Sequence, residues 1–393
     1  MATAKPSVYE SLGVRSFINA SNNATVFGGS VMPAEVVEAM AQASTEFVEL
    51  AGLHAAAGRR IAETVGAEAA HVSNGACNGC ALAIASCITG SDIDLSQRLP
   101  DTSGTKNEVV CYGHAPYPNY LYQAIEMIGG KLVRVGDPGR LTASDFENAI
   151  GPMTAAIFYV VAFNERAANS AEDDPGSVPA VAEVARRAGV PLVVDAAAEL
   201  PPTSNFRRFL DEGADLVVFS GGKAIRGPQS TGLVLGRPDL VQGCALNHNP
   251  NSAIGRGNKV GKEEIVGLVK AVELFVERDE DAELAEWSRV CEVIAGDLQG
   301  LPGVDVTVEG SGHWRFRPPM VPKCVVQVDG LRERFDGADA HATFLRGGSN
   351  LLVGDDPSVM FGISEETILI HPIALKPGEE AVVGRQLRRA LGG

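Results

Sequence analysis

Four short runs in this chain leave almost nothing for solvent: AAIFYVVAF (Ala155–Phe163), PLVVD (Pro191–Asp195), DLVVFS (Asp215–Ser220) and GLVLG (Gly232–Gly236). A strand with one wet face alternates polar and apolar residues; a strand covered on both faces does not. Helical patterns separate these runs, ASDFENAIG before the first and VPAVAEVARRAGV before the second. The alternation commits the chain to an α/β fold, a mostly parallel sheet buried between helices. The same rhythm appears upstream. Helix AGRRIAETVGAEAA leads to strand AAHVSN, a glycine turn and helix ALAIASCITG, then strand EVVCYGH, helix PYPNYLYQAIEMIGG and strand KLVRVG. Before them, SVMPAEVVEAMAQASTEFVEL reads as a helix with Ser30 placed to cap its start.

The texture changes after Lys262. A long helical stretch contains the charge run ERDEDAE, which fits a solvated face or a break between two helices. Strand-like CVVQVD and TILIHP and a closing helix in EEAVVGRQLRRALGG follow, as in a smaller α+β domain. The expected organisation is an N-terminal segment over residues 1–60 that packs on the small domain and a dimer partner. A cofactor-binding large domain follows over 61–262, then a connecting helix and small C-terminal domain over 263–393.

With 393 residues, 45% of them hydrophobic, the chain can bury its core without disulfides or a metal. A formal charge of −16 argues against a nucleic-acid groove and against an anionic membrane surface. Seven scattered cysteines, an odd number, are no disulfide framework and point to a reducing, cytoplasmic setting. MATAKPSVYESLG lacks the apolar centre of a signal peptide, and Ala155–Phe163 is too short to span a bilayer.

Three features fall at strand ends, where open parallel sheets bind ligands. Asp195 closes PLVVD. Lys223 follows the next strand, in LVVFSGGKAIRGPQSTG (Leu216–Gly232). SNGACNG (Ser73–Gly79) joins a strand to a helix through glycines and so offers backbone N–H groups and a positive dipole end to an anion. An anion cradle, an acid for a protonated ring nitrogen and an imine-forming lysine together describe pyridoxal 5'-phosphate binding.

PLVVDAAAELPP, GADLVVFSGGKAIRGPQSTGLVLGR and IGRGNKVGKEEIVGL resemble a branch of fold-type I pyridoxal-phosphate enzymes, the selenocysteine synthase and D-glucosaminate-6-phosphate ammonia-lyase family. VRSFINAS and HPIALKPGEE fit the same pattern, so the resemblance runs from about Val8 onward. It implies an aspartate aminotransferase-like large domain with a smaller C-terminal one. Lys223 becomes the Schiff-base lysine, Asp195 the partner of the pyridine nitrogen, and Ala197 the residue beneath the ring. Ser220 and the N–H groups of Gly75, Ala76 and Cys77 would hold the phosphate. His114 would stack on the ring, unless it is simply a satisfied histidine at a strand end. Arg226 would neutralise phosphate or substrate charge, or order its loop. Sites in this fold lie between subunits, so a homodimer or larger homo-oligomer is expected, with Thr231 reaching the partner's phosphate.

The chain also departs from the family. Lyase-like members carry an arginine shortly before the final strand, where DPSVMFGISEETILIHP has Gly362; Arg315, Arg317 or Arg346 could hold a substrate carboxylate instead. Asn22 and Asn23 in SNNATVFGGS stand where relatives have glycine or small residues. CNGC at Cys77–Cys80 offers a redox reading that the anion cradle displaces. The histidines show no HExxH spacing, so no metal site is expected.

The resemblance implies α,β-elimination from a β-hydroxy amino acid or amino-sugar acid, giving a keto acid and ammonia. Catalysis would rest on Lys223, Asp195 and His114. Racemase, aldolase, transferase or aminotransferase chemistry shares the first steps. Selenium transfer on seryl-tRNA fits the acidic charge poorly, and a cofactor-binding protein without turnover is the remaining alternative.

Overall fold

In the computed structural model, the described residues are 7–114, 119–168, 175–310, 321–335, 342–345, 349–354 and 357–392. They form two compact units, one running from Thr25 to Arg278, the other taking the residues up to Ala24 and those from Asp279 onward.

The larger unit is built on a seven-stranded sheet. Its strands are β1 (Ala69–Ser73), β2 (Glu108–Tyr112), β3 (Lys131–Val135), β4 (Thr154–Val160), β5 (Leu192–Asp195), β6 (Leu216–Ser220) and β7 (Gly232–Gly236). The spatial order is β1-β7-β6-β5-β4-β2-β3. From β3 across to β6 all pairs are parallel; β7 and β1 close the sheet with antiparallel ladders. The unbroken apolar runs lie where both faces are covered. Every residue of β4, β5 and β7 is buried, whereas edge strand β3 exposes Lys131 and Arg134. Register brings the chemistry to one sheet edge: Ser73 and Ser220 both pair with Gly232, and Asp195 pairs with Val218.

Three local expectations shift. AAIFYVVAF is not one strand: β4 ends at Val160 and the helix Val161–Ala168 begins at once, with the Asn164 Oδ1 accepting the Val160 N–H at 3.3 Å. A short apolar run cannot tell a buried strand from a buried helix. Ser30 does not cap a helix. Its N–H donates to the Gly222 carbonyl at 2.9 Å, and the helix Ala34–Ala43 starts after Pro33. A separate helix, Leu50–Val65, is capped by the Glu49 carboxylate. The charge run is a break: the helix Lys262–Glu277 ends, and Asp279 caps Glu280–Leu298 by accepting the Ala282 N–H at 3.0 Å.

The smaller unit holds strands β8 (Val304–Gly310), β9 (Pro322–Val328), β10 (Ala342–Leu345), β11 (Asn350–Val353), β12 (Val359–Ser364) and β13 (Thr367–Ile370), ordered β10-β11-β12-β13-β9-β8. The short strand Ile18–Asn19 pairs parallel to β12. β9 alternates buried and wetter positions, as an antiparallel strand with one covered face should. Cys324, Val326 and Val328 on that face pack with Cys291, Ile294 and Leu298 of Glu280–Leu298 and with Val383 and Leu387 of Glu379–Ala390.

Candidate active site

The turn after β1 is shaped for an anion. Gly75 has φ +77°, a left-handed conformation open to glycine, and starts the helix Gly75–Thr89. The first-turn N–H groups of Gly75, Ala76 and Cys77 have no partner within that helix. The turn is held from behind. Ser73 Oγ donates to the Gly75 carbonyl at 3.0 Å, and a Cβ on Gly232 would lie 2.7 Å from the Ala76 nitrogen. Asn78 donates to the Asn74 side chain and accepts from Asn258 Nδ2 at 2.6 Å, which fixes the turn laterally.

Asp195 ends β5 with 6% of its surface exposed. Its Oδ1 accepts the Ala197 N–H at 3.0 Å, which orients the carboxylate and leaves Ala197 half-buried just past it. Burial pushes the carboxyl up to about 6, against the Ala197 N–H and the Lys223 ammonium, which both pull it down. Lys223 is half-buried, at the head of a loop whose backbone packs on itself. A Cβ on Gly221 would stand 2.1 Å from Thr231 Oγ1, and one on Gly222 2.4 Å from Gln229 Cα. Gly227 N–H donates to the Gly221 carbonyl at 2.8 Å. Glycines are therefore required by space, and the loop presents its lysine rigidly. Ser220, half-buried at the β6 tip, precedes it.

The remaining expected residues make the following contacts. Thr231 is fully buried and its hydroxyl donates to the Pro228 carbonyl at 2.6 Å, within its own loop. Arg226 is exposed, has φ +60° and donates from Nε to the Val31 carbonyl at 3.1 Å, so it orders the loop. His114 is exposed; its Nε2 donates to the Gly136 carbonyl at 3.1 Å, beside edge strand β3. Gly362 lies inside β12, where a Cβ would come within 3.3 Å of Ser21 Oγ. Asn22 forms a local turn, its Oδ1 accepting the Ala24 N–H at 2.9 Å. Arg315, Arg317 and Arg346 lie outside the described residues.

Two features escaped the sequence reading. Tyr120 opens the helix Tyr120–Met127 with 64% of its surface exposed, and partial desolvation and then the Asp195 charge hold its phenol above its ordinary pKa. Cys77 feels the same pair of influences and is pushed up to about 11. Cys77 Sγ lies 3.8 Å from the Tyr120 carbonyl, which brings the start of this helix to the anion turn. The second feature is a strap, Thr25–Val31, laid across the lysine loop. Gln229 Nε2 donates to the Thr25 carbonyl at 2.7 Å, and Gly29 leaves no space for a Cβ beside the Gly222 carbonyl.

An anion cradle, a buried carboxylate and a lysine stand at the same end of neighbouring strands of the sheet. This donor set fits pyridoxal phosphate. The first-turn N–H groups would take the phosphate, Asp195 the ring nitrogen, Lys223 the aldehyde and Tyr120 one flank.

Comparison with known proteins follows the same line. The family model described as "SelA: L-seryl-tRNA selenium transferase" matches residues 23–289. D-glucosaminate-6-phosphate ammonia lyase of Salmonella typhimurium is 32% identical over 386 residues, covering 98% of this chain and 97% of the relative. A 5'-C-glycyluridine monooxygenase-decarboxylase of a Streptomyces species is 32% identical over 387 residues, covering 96% and 90%. The solved structure of D-glucosaminate-6-phosphate ammonia-lyase superposes with a TM-score of 0.78 at 28% identity, over 98% of each chain.

Proposed function

The chain belongs to the SelA family and has the fold-type I pyridoxal-phosphate architecture, and on that footing we propose that it is an ammonia-lyase. Its substrate would be a β-hydroxy amino acid or amino-sugar acid, converted by α,β-elimination to a keto acid and ammonia. The observation that carries the reading is the buried Asp195 carboxylate, at the same sheet edge as Lys223 and the Gly75 turn.

Bound pyridoxal phosphate supplies an electron sink for the charge that develops at the substrate's α-carbon. The protein's part is positional and electrostatic. Asp195, poorly solvated, favours a cation at its carboxylate and so keeps a proton on the ring nitrogen. The Lys223 amine, once released to the substrate side, removes the α-proton. That proton, held on the Lys223 ammonium, would pass to the β-hydroxyl so that it leaves as water, and hydrolysis of the resulting enamine would give the keto acid and ammonia. The Tyr120 phenol, its pKa raised, stays protonated, and it would be a second candidate beside His114 for the ring that flanks the cofactor. Ser220 adds a hydroxyl to the phosphate cradle.

The protein would work as a homo-oligomer in a reducing compartment. Phe47 is fully exposed and Val37 and Val48 lie about half exposed in the larger unit, a surface suited to a second copy. All seven cysteines are free, and among the described residues no helix is long and apolar enough to cross a membrane.

The test is a panel of β-hydroxy amino acids and amino-sugar acids, read for ammonia and keto acid. Stoichiometric release of both, lost in Lys223→Ala together with the absorbance at the edge of the visible, is the expected result. Carbon dioxide release with oxygen uptake and no ammonia would instead place the chain with the Streptomyces relative.

A further inference from the structure

Three histidines distant in sequence meet inside the larger unit. His54 comes from the helix Leu50–Val65, His71 from β1 and His248 from the end of the helix Pro238–Asn247. Their exposures are 6%, 3% and 0%. One ring nitrogen from each lies within 4.8 Å of the others. The His54 and His71 rings stack with centroids 5.0 Å apart, and both meet the His248 ring edge-on.

The hydrogen bonding is incomplete in an informative way. A carbonyl only accepts, so His248 Nε2, 2.8 Å from the Asn258 carbonyl, carries the proton. His248 Nδ1 is then an acceptor facing the cluster, and it takes the His71 Nε2 proton at 2.9 Å. His54 Nδ1 and Nε2 are both buried with no partner, as is Asn249 Oδ1. Leaving such groups unpaired is costly. A backbone carbonyl that fixes the tautomer of a ring whose other nitrogen faces inward is the usual support behind a metal-bound imidazole. A cavity of about 480 Å³, lined by His54, His71 and Asn249, gives the cluster an access route and room for water.

The geometry points to a divalent transition-metal site of the zinc class, bound by His54, His71 and His248, with Asn249 Oδ1 or a water in the fourth position. Three neutral imidazoles suit Zn²⁺ and Co²⁺ and exclude the hard cations Mg²⁺ and Ca²⁺. Zinc–nitrogen bonds of about 2.1 Å set tetrahedral ligand atoms about 3.4 Å apart, so the 2.9 Å His71–His248 pair would open slightly and any wider spacing would close, with His71 changing tautomer so that its Nε2 lone pair faces the ion. The site stands apart from Lys223 but is wired to the anion turn. Asn258, whose carbonyl holds His248, donates its amide to Asn78, which holds Asn74. The ion would therefore stiffen the cradle without taking part in the reaction.

The experiment uses untagged, cofactor-loaded protein stripped with a chelator and titrated with Co²⁺, then Zn²⁺. One equivalent of Co²⁺ per chain should give intense visible bands of tetrahedral type, displaced by Zn²⁺, and X-ray absorption of the zinc form should show three imidazole shells. His54→Gln, at a side chain without a hydrogen-bond partner, should weaken binding by at least about 100-fold while the cofactor absorbance persists. His248→Gln should also lower cofactor affinity. Sub-stoichiometric binding, an octahedral cobalt spectrum, fewer than three imidazole ligands in the wild type, or unchanged affinity in His54→Gln would each overturn the proposal.

Discussion

Gly232, the first residue of β7, lies so close to the anion turn that a Cβ on it would stand 2.6 Å from the carbonyl carbon of Gly75. Neither chain can retreat, because Gly232 is paired on both sides, to Ser73 and to Ser220. Gly232→Ala should therefore displace the turn and lower pyridoxal-phosphate affinity by about 10-fold or more, the cost of overpacking a tight contact. Gly151→Ala, where a Cβ meets nothing within 4 Å, is the control. Spectrophotometric titration of the cofactor-free proteins measures both.

Asp195 makes cofactor-free protein less stable as pH rises. Folding raises its carboxyl from 3.8 to about 6, so between those values the folded chain holds a proton that the unfolded chain has released. Stability contributed by this group is present at the acid end and is lost through that window, by roughly 3 kcal/mol. Asp195→Asn should equal the cofactor-free wild type near pH 4 and exceed it near neutrality, in urea unfolding. The same variant, loaded with cofactor, should lose at least about 100-fold in turnover. A variant less stable than wild type near neutrality would contradict this account.

Tyr120 and His114 separate two assignments of the flanking ring. Tyr120→Ala should weaken the cofactor by about 10-fold, the scale of a stacked aromatic contact, and shift its absorbance. His114→Ala, at an exposed side chain bonded to Gly136, should change affinity less than about twofold. Equal effects would return the role to His114.

Arg226 holds a left-handed backbone at φ +60° while its side chain ties the lysine loop to Val31. Arg226→Ala loses the tie and keeps the strain. Arg226→Gly loses the tie but relieves the strain, and should be the more stable of the two by about 1 kcal/mol. Thermal unfolding of the pair decides it.

Cys77 should be a sluggish thiol. Burial, and then the Asp195 charge, push it up to about 11, which outweighs the helix start that would lower it. Alkylation near neutrality should be slower than for a free thiol and slower still with cofactor bound. Rapid labelling would restore the redox reading of CNGC.

The site was legible where chemistry coincides with a strand end. Asp195 and Lys223 stand out because a charged residue at or just past the end of a buried strand is rare and is readable from a few neighbours. Ser30 misled for the opposite reason. Its cap preference is local, whereas its N–H is taken by Gly222, nearly two hundred positions away. Tyr120 was missed because nothing near it in sequence says that its helix starts beside Cys77 of the anion turn. The histidine cluster was invisible to a search for ligand spacing, since residues 54, 71 and 248 share no helix or turn and meet only after the sheet has formed.

The asparagine chain that braces the anion turn carries a liability of its own. Asn74 and Asn78 each precede a glycine, the pairing in which a side-chain amide is most readily converted to an acid as a protein ages. Their amides are engaged with each other and with Asn258, which restrains them. Should either amide be lost, a carboxylate would stand beside the place reserved for a phosphate, and repulsion would empty it. Keeping the protein saturated with cofactor should then protect these two amides and slow the loss of binding on storage.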